Sequence, residues 1–300
     1  MTADASVVRP SRMPVSWWQR NKPKVLRALG LAFLQVFLSA LVITFLVPTI
    51  WMVLSSFKAS TEIFVHPIKW LPDRWLWRNY VEAATILPLA RFFFNTVIVV
   101  TAATLGTVVS SAVVAYSFAR LRWPGRDFFF GLLLATIMLP EVVLLVPRFI
   151  MFRWFGWIDT FLPLTAPFWF ATATFYVFLI REFMRGIPME LEDAARIDGC
   201  SRLRILWQIL LPLSKPVLAT VAVFSLLQHY NDFMSPLIYL NSMDKWTLAL
   251  AIRTYNSQYV ANWEWVFAVS TMMLVPMVVL FVLAQRYFVQ GITMTGFGGQ

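Results

Sequence analysis

The sequence predicts an all-α integral membrane protein with six transmembrane helices. Composition is the first observation behind this fold class: 59% of the 300 residues are hydrophobic and only 13% are charged. Soluble domains carry about 25% charged residues, so a globular fold of this length could not bury so much apolar surface. The second observation is that the apolar residues form continuous runs without alternation. Such runs are typical of helices, which satisfy every backbone amide within one membrane-spanning segment.

Six segments are long enough to cross a bilayer, which takes about 20 apolar residues in a helix. The first is uncharged over residues 28–57, and it exceeds the apolar core of a signal peptide (about 7–15 residues), so we expect it to be retained. The other five are predicted at about 92–119, 128–147, 161–180, 216–240 and 265–285. This divides the chain into an N-terminal tail, a six-helix transmembrane domain and a C-terminal tail, at 1–27, 28–285 and 286–300.

The distribution of lysine and arginine predicts the orientation. The two tails and the segments after the second and fourth spans hold 16 of the 25 basic residues. The positive-inside rule therefore places both termini and the loop at 186–216 in the cytoplasm. Tryptophan, which prefers the headgroup level, is frequent in the three opposite segments: Trp70, Trp75, Trp77, Trp154, Trp157, Trp263 and Trp265. Because the basic residues occur in short clusters between apolar runs, we expect membrane lipid and no nucleic acid as a partner.

The residues needed for catalysis or metal binding are scarce. Cys200 is the single cysteine, and the two histidines, His66 and His229, lie far apart in the chain. A zinc site or a nucleophile–base pair is therefore not expected. The sequence contains no G-x-x-x-x-G-K-[S/T] phosphate loop, since no glycine is followed by lysine. If ATP drives this protein, we expect hydrolysis on a separate subunit.

The cytoplasmic loop at 186–216 is a charged island in an apolar chain. Pro188 suits the first position of a helix, because its φ is already helical and its missing N–H needs no partner there. Acidic residues then occupy the first turns, where the helix dipole favours them: Glu190, Glu192 and Asp193.

A second helix is predicted after a sharp turn in the same loop. Gly199 fits a left-handed helix cap, and Ser201 fits the N-cap position of the next helix. The apolar stripe of that helix comprises Leu203, Leu206, Ile209 and Leu210. Two interpretations remain open on these grounds: an ordinary amphipathic loop on the membrane surface, or a rigid two-helix knuckle that docks on a cytoplasmic partner.

The knuckle resembles the EAA loop of the permease subunits of ATP-binding cassette (ABC) importers. The residues that carry the resemblance are Asp193-Ala194-Ala195, Asp198-Gly199 and Ile209-Leu210-Leu211-Pro212. Aspartate stands at 193 where the family usually has glutamate, which keeps the charge and shortens the reach. The resemblance implies a type I ABC importer permease fold, a non-catalytic chain and a set of ATPase-docking residues: Glu190, Glu192, Asp193, Ala194, Ala195, Asp198, Gly199 and Arg202.

Other stretches are similar to the carbohydrate, maltose-permease-like branch of this family: Arg181–Phe183, Asn231-Asp232-Phe233, Pro236-Leu237-Ile238, Gln285–Phe288 and Gly291-Ile292. Tyr230 replaces the tryptophan usual before the Asn-Asp pair, and the last five residues lack a lysine usual there. The resemblance implies a bacterial or archaeal cytoplasmic (inner) membrane protein with four kinds of partner. These are a second homologous permease subunit, two ABC ATPase subunits that bind ATP and Mg²⁺, an extracytoplasmic solute-binding protein, and a sugar. No cofactor is expected in this chain.

Polar residues at membrane depth are the candidates for a substrate path, because such groups are costly in lipid and tend to face a cavity or a partner. For Asn95 and Glu141 we favour hydrogen bonding between helices over a lining role. For a run of five residues that interrupts the fifth span we favour the lining role, since histidine and tyrosine offer stacking surfaces to a sugar: Gln228, His229, Tyr230, Asn231 and Asp232.

Three other classes of protein were weighed against an ABC importer permease. An ion-coupled secondary transporter of a small polar solute would show paired intramembrane ionisable residues and often inverted repeats, and the sequence shows neither. A membrane enzyme would need the catalytic cluster that is missing. An assembly scaffold remains open but gives no reason for the knuckle.

Overall fold

The computed structural model describes residues 17–255 and 262–295, with side chains over 29–255 and 262–282 and at 285. Regular structure in these ranges is helical. The chain divides into two units, Met1–Val53 and Leu54–Gln300. The α-helices are α1 Trp17–Ser55, α2 Ser60–Ile63, α3 Arg78–Ile86, α4 Leu89–Arg120, α5 Arg126–Ala135, α6 Glu141–Trp154, α7 Leu162–Thr165, α8 Thr174–Arg185, α9 Glu190–Ile197, α10 Arg202–Ile205, α11 Leu211–Leu213, α12 Lys215–Tyr230, α13 Met234–Tyr239, α14 Leu248–Tyr255 and α15 Trp263–Thr295.

The first unit consists of α1 up to Val53, as far as the structure describes it. Every described side chain over residues 29–48 is exposed, although the segment Leu29–Ser55 is apolar enough to cross a membrane. A helix that is apolar on all faces is covered by lipid or by another chain. The first sixteen residues of the predicted N-terminal tail lie outside the described part of the chain.

The second unit is built around α4, which packs against α8, α12 and the 3₁₀ turn Ala166–Phe170. Small residues on α4 allow this close approach. At Gly106 a Cβ atom would lie 2.7 Å from the Trp169 ring, so the tryptophan leaves room for no side chain there. The largest buried cluster joins α4 and α8 to the knuckle helices and contains Tyr116, Met184 and Ile205.

Four segments of the described residues are long and apolar enough to cross a membrane: Leu29–Ser55, Leu89–Arg120, Leu162–Arg185 and Trp263–Val282. They correspond to the first, second, fourth and sixth predicted spans. Helix α15, which contains the sixth predicted span, continues to Thr295 through residues that were predicted as the C-terminal tail. The last five residues of the chain lie outside the described ranges.

The third predicted span is two helices, Arg126–Met138 and Glu141–Trp154, bent by 102°. The break occurs at Leu139, whose backbone is extended at φ −79° and ψ 117°. A residue before proline is driven from the helical region by the proline ring, so Pro140 accounts for the break. Pro147, the second proline of this segment, lies within α6. The third predicted span therefore changes direction fully at Pro140.

The fifth predicted span, 216–240, ends earlier than expected. Helix α12 stops at Tyr230, and Asp232 accepts a hydrogen bond from the backbone N–H of Ser235 (3.1 Å), which fixes the turn into α13. On its N-terminal side α12 is joined to Arg202–Leu213 at a bend of 77°. The knuckle and the fifth span are thus continuous in the chain but differ in direction.

Candidate functional site

The knuckle, which we define as residues 188–213, has the predicted turn. Gly199 has φ +78°, in the left-handed region that glycine adopts without strain. Its N–H donates to Arg196 O (3.0 Å), and the N–H of Cys200 donates to Ala195 O (2.9 Å). This pair of bonds is a Schellman motif, which ends α9 sharply. Pro188, predicted as the first helical residue, instead lies two residues before α9 begins at Glu190.

The second knuckle helix begins as predicted and then changes phase. The Ser201 hydroxyl accepts a hydrogen bond from the N–H of Arg204, although it is long at 3.4 Å. A π-helical turn follows at Leu206–Leu210. The buried residues of this second helix are Ile205, Leu206 and Leu210. Leu203, predicted on the buried stripe, is instead 68% exposed.

The acidic residues of the knuckle occupy two different environments. Glu190, Asp193 and Asp198 are exposed, where a partner could reach them. Glu192 is fully buried, and its carboxylate lies 3.1 Å from Nε of Arg120, which is itself buried. Position 192 falls on the face of α9 that packs against α4, so the docking role predicted for Glu192 requires correction: it holds the knuckle from within.

Among the other predicted docking residues, Ala194 and Arg202 are exposed while Ala195 packs into the buried cluster. The sequence analysis missed the apolar part of the exposed surface. Ile197 is 87% exposed beside the Gly199 turn, and Leu203 and Trp207 are exposed on the second helix. Exposed large apolar side chains grouped with charged ones are characteristic of protein interfaces.

The residues predicted to line a substrate path lie where α12 ends. His229, Tyr230 and Asp232 border a narrow cleft of about 10 Å³, together with residues of α4 such as Thr96 and Val99. The His229 ring packs edge-on against Phe168, with ring centroids 4.3 Å apart. This cleft brings together aromatic rings, a carboxylate and hydroxyl groups, which are the groups that hydroxylated ligands require.

Three residues of this run, including Tyr230, also form hydrogen bonds within the chain. Gln228 accepts a hydrogen bond from the Tyr176 hydroxyl (3.1 Å), and the Tyr230 hydroxyl donates to Met273 O (2.9 Å). The amide of Asn231 donates to Leu227 O, one turn earlier (2.8 Å). The run is therefore tied to the neighbouring helices.

Asn95 and Glu141 are not among the residues that line this cleft. The Asn95 amide donates to Asp244 O and Trp246 O, both at 2.9 Å, which is the inter-element hydrogen bonding that we favoured for it. Glu141 is exposed at the first position of α6, directly after the break at Pro140.

An anchor that no sequence pattern indicated lies in the turn after α6. Asp159 has φ +60° and accepts hydrogen bonds from the backbone N–H groups of Asn241 (3.0 Å) and Ser242 (2.9 Å), and from Lys245 Nζ (2.9 Å). The bonds from the hydroxyl and backbone N–H of Ser242 and from Lys245 hold the pKa of Asp159 well below its ordinary value. A lone aspartate in a loop gives no signal of such a network.

Metal ligands do not cluster in the part of the chain that the structure describes, where no group of three or more His, Cys, Asp or Glu side chains could hold an ion. The candidate site thus has two parts, the exposed charged and apolar surface of the knuckle and a small polar cleft in the helical bundle. Neither contains a nucleophile–base pair.

Comparison with known families identifies this arrangement. The sequence profile of the family described as "Binding-protein-dependent transport system inner membrane component" matches residues 108–294, which include the whole knuckle and the cleft-lining run. The chain belongs to this family. It is therefore a non-catalytic permease subunit of an ABC importer, a multi-pass protein of the inner membrane. Its partners are a second permease, ATPase subunits and a solute-binding protein.

Similar permeases cover nearly the same length. The chain is 33% identical over 274 residues to the probable ABC transporter permease protein YurM of Bacillus subtilis, covering 91% of this chain and 90% of that protein. It is 32% identical to the diacetylchitobiose uptake permease NgcG of Streptomyces coelicolor, covering 80% of each. It is 34% identical to the arabinooligosaccharide permease AraQ of Halalkalibacterium halodurans, covering 84% of this chain and 91% of that one.

The fold is shared with a solved importer. A chain in the crystal structure of a bacterial ABC transporter involved in the import of the acidic polysaccharide alginate superposes with a TM-score of 0.77 at 21% identity, covering 87% of this permease and 97% of that chain. A second alginate transporter structure, in complex with an alginate pentasaccharide-bound periplasmic protein, gives 0.63 at 16% identity, covering 90% and 96%. The predicted ABC importer permease fold is confirmed at this level.

Proposed function

We propose that this permease is one half of a heterodimeric pathway that imports a sugar or a related polyol. It would do so with six spans, both termini in the cytoplasm and the knuckle docked on an ATPase subunit. Support for the cargo class comes from relatives whose names specify diacetylchitobiose, arabinooligosaccharides and sn-glycerol-3-phosphate. In this proposal ATP and Mg²⁺ bind to the ATPase partners and no cofactor binds to this chain.

The observation that carries the proposal is the construction of the knuckle. A Schellman turn at Gly199 fixes the angle between two short helices and leaves Ile197 exposed at the tip. The buried face of the same helices joins the core of the second unit. A lever must be rigid, exposed at one end and attached at the other, and the knuckle meets all three requirements. A loop that merely lay on the membrane would not need this attachment.

The docking residues fall into two groups in this proposal. Glu190, Asp193, Asp198 and Arg202 are exposed and meet polar groups of the ATPase, while the Gly199 turn presents the tip. Exposed Ala194 leaves room for close approach on the same face of α9. Buried Glu192 and Ala195 shape the knuckle from inside.

The cargo path is proposed to pass the cleft at the end of α12, where His229, Tyr230 and Asp232 are grouped. A cleft this small holds part of a sugar ring at most, so the second permease would complete the path. Gln228 and Asn231 would orient this end of α12 through their bonds to other residues.

Reconstitution tests the function. The permease, its second permease and its ATPase subunits are placed in proteoliposomes with the solute-binding protein. Uptake is then measured for a panel of diacetylchitobiose, arabinotriose and sn-glycerol-3-phosphate. We expect ATP-dependent uptake of at least one probe, with no uptake driven by a proton or sodium gradient alone. Gradient-driven uptake without ATP would instead identify a secondary transporter.

The docking role is tested with Gly199→Trp in the same system. We expect this variant to reach the membrane and to lose uptake, because tryptophan at φ +78° is strained and blocks the tip. Asp127→Asn, a change in an exposed cytoplasmic ion pair outside the knuckle, serves as the control. Normal uptake by Gly199→Trp, with the ATPase bound, would refute the docking role.

The orientation is tested with the native thiol. Cys200 is the single cysteine of the chain and lies beside the tip, so a membrane-impermeant maleimide reports the side on which the knuckle lies. We expect labelling in inside-out vesicles stripped of the ATPase subunits and protection in right-side-out cells. The opposite result would invert the proposed topology.

A further inference from the structure

We propose that α4 is a strut that carries the movement of the knuckle to the opposite end of the bundle, and that Arg120 and Glu192 are the positioning residues that attach the knuckle to it. The proposal rests on the proposed function, since it names the residues through which ATP-driven motion would pass. The receiving end is the clamped segment, which we define as residues 241–248.

One side chain at the inner end of α4 contacts the knuckle, the end of α8 and the connection between them. Arg120 is the last residue of α4, and its guanidinium donates to Met184 O at the end of α8 and to Ile187 O (2.5 Å) in the connection to α9. Its Nε lies 3.1 Å from the Glu192 carboxylate. The guanidinium also approaches the sulfur of Met189 (2.6 Å).

A second contact attaches the other knuckle helix to the same end of α4. The Tyr116 hydroxyl, one turn before Arg120, donates to Arg202 O (3.2 Å). Both helices of the knuckle are thus attached to α4, on either side of the Gly199 turn. A displacement of the tip therefore acts on α4 directly.

The burial of the Arg120–Glu192 pair argues against a purely stabilising role. Both side chains are removed from water, at 2% and 0% exposure. Desolvation of two charges offsets much of their attraction, and apolar residues of similar volume are often as stabilising. A planar guanidinium that forms an ion pair with a carboxylate and donates to two carbonyl groups fixes relative positions in a way that apolar packing does not.

The outer end of α4 holds the clamped segment in a similar way. The Asn95 amide donates to Asp244 O and Trp246 O, and the Thr96 hydroxyl accepts from the N–H of Leu248 (2.8 Å). Asp159 bonds the same segment from the other side. The clamped segment is therefore hydrogen-bonded to α4 on one side and to the turn after α6 on the other.

Between these ends α4 is continuous. From Asn95 to Arg120 it contains no proline, and at 1.5 Å per residue the two anchors are about 37 Å apart. Helices α8 and α12 pack along it. A straight helix anchored by polar contacts at both ends transmits a shift at one end to the other, provided that the anchors hold.

The test reads movement at the clamped segment in the complete reconstituted complex, without any sugar. In a Cys200→Ser background, Met243→Cys places a thiol at a half-exposed position of the segment. Its maleimide labelling rate is compared without nucleotide and with ATP plus vanadate. We expect at least a threefold change in the parent and less than a 1.5-fold change with Glu192→Gln. Asp127→Asn, the matched control, should behave as the parent.

A structural role alone is separated from positioning by the double variant Arg120→Met with Glu192→Met. It leaves neither charge of the pair buried, so its thermal stability should fall only by the loss of the bonds to Met184 O and Ile187 O, while the response of the reporter thiol stays lost. The same substitutions are also made in a chain that keeps Cys200 and lacks Met243→Cys. In those variants the ATPase subunits should still protect Cys200 from maleimide, which shows that the complex assembles. The strut is overturned if the labelling rate of the double variant changes with ATP plus vanadate as much as that of the parent. It is also overturned if the labelling rate of the parent does not change with ATP plus vanadate. A parent that shows no ATP-dependent uptake overturns the proposed function instead.

Discussion

The Asp159 anchor gives the prediction that can be worked out furthest. Asparagine tolerates the left-handed backbone at φ +60° as aspartate does, so Asp159→Asn changes the charge and leaves the backbone unstrained. The Oδ1 atom can still accept from the two backbone N–H groups of Asn241 and Ser242. The new amide group, however, would point a donor at the Lys245 ammonium, which now lies 2.9 Å from Oδ2.

The magnitude follows from the bonds lost. A hydrogen bond to a charged group contributes about 1.5–3 kcal/mol when buried. Here the two side chains are 25% and 37% exposed, which places the Lys245 contact nearer the lower end. Adding the weaker hydrogen bond that Asp159 accepts from the Ser242 hydroxyl, we expect a loss of about 2 kcal/mol, or about 3 °C in the unfolding temperature of the purified chain. Asp73→Asn, in an exposed pair with Lys69, should cause no measurable shift.

The same anchor predicts a pH dependence. Its folded-state pKa is depressed by the bonds from Ser242 and Lys245, so the stability it contributes is fully present above the unfolded pKa of about 3.9 and is lost as the pH falls below it. The difference in unfolding temperature between parent and Asp159→Asn should be constant above about pH 5 and shrink below about pH 4. Equal unfolding temperatures at pH 7, or a difference that persists unchanged at pH 3, would refute the reasoning.

Three further predictions concern single positions. At Gly199 a Cβ atom would meet no other atom of the described residues within 4 Å, so Gly199→Ala should cost only the backbone strain, about 1–2 kcal/mol, measured as a lower unfolding temperature. Asn79→Leu should cost about 2–4 kcal/mol by the same measurement, because it removes the two buried hydrogen bonds that the Asn79 amide donates to backbone carbonyls at 2.9 Å. Gly106→Ala should cost about 1–3 kcal/mol and alter the tryptophan fluorescence, because Trp169 must move. The control Gly131→Ala, which has open space around it, should not lower the unfolding temperature.

Local signals in the sequence were enough to predict the knuckle turn. A left-handed cap needs glycine and an N-cap needs a short polar side chain, and both Gly199 and Ser201 are found in those roles. The phase of the second helix could not be predicted this way. Leu203 lies at the surface and Ile205 in the core, and the helix then changes phase in a π-helical turn that leaves no composition signal of its own.

The different burial of the two acids at 192 and 193 could not be predicted from the local sequence. They are neighbours of equal charge, and only their directions on α9 separate them: one points at Arg120 and the other at solvent. Asn95 shows the same limit, since its partner Trp246 O is 151 positions away in the chain. Contacts of that separation depend on how helices pack, which no single segment encodes.

The sequence by itself determined that the chain is helical and membrane-embedded, and that it has a charged knuckle and no catalytic cluster, because hydropathy, charge and capping act over a few residues. Only the tertiary structure decided which knuckle acid is buried, where Pro140 redirects the third segment and what the two ends of α4 hold. Those outcomes depend on contacts between distant elements, and a buried charge or amide can sit there only because a partner from another helix meets it.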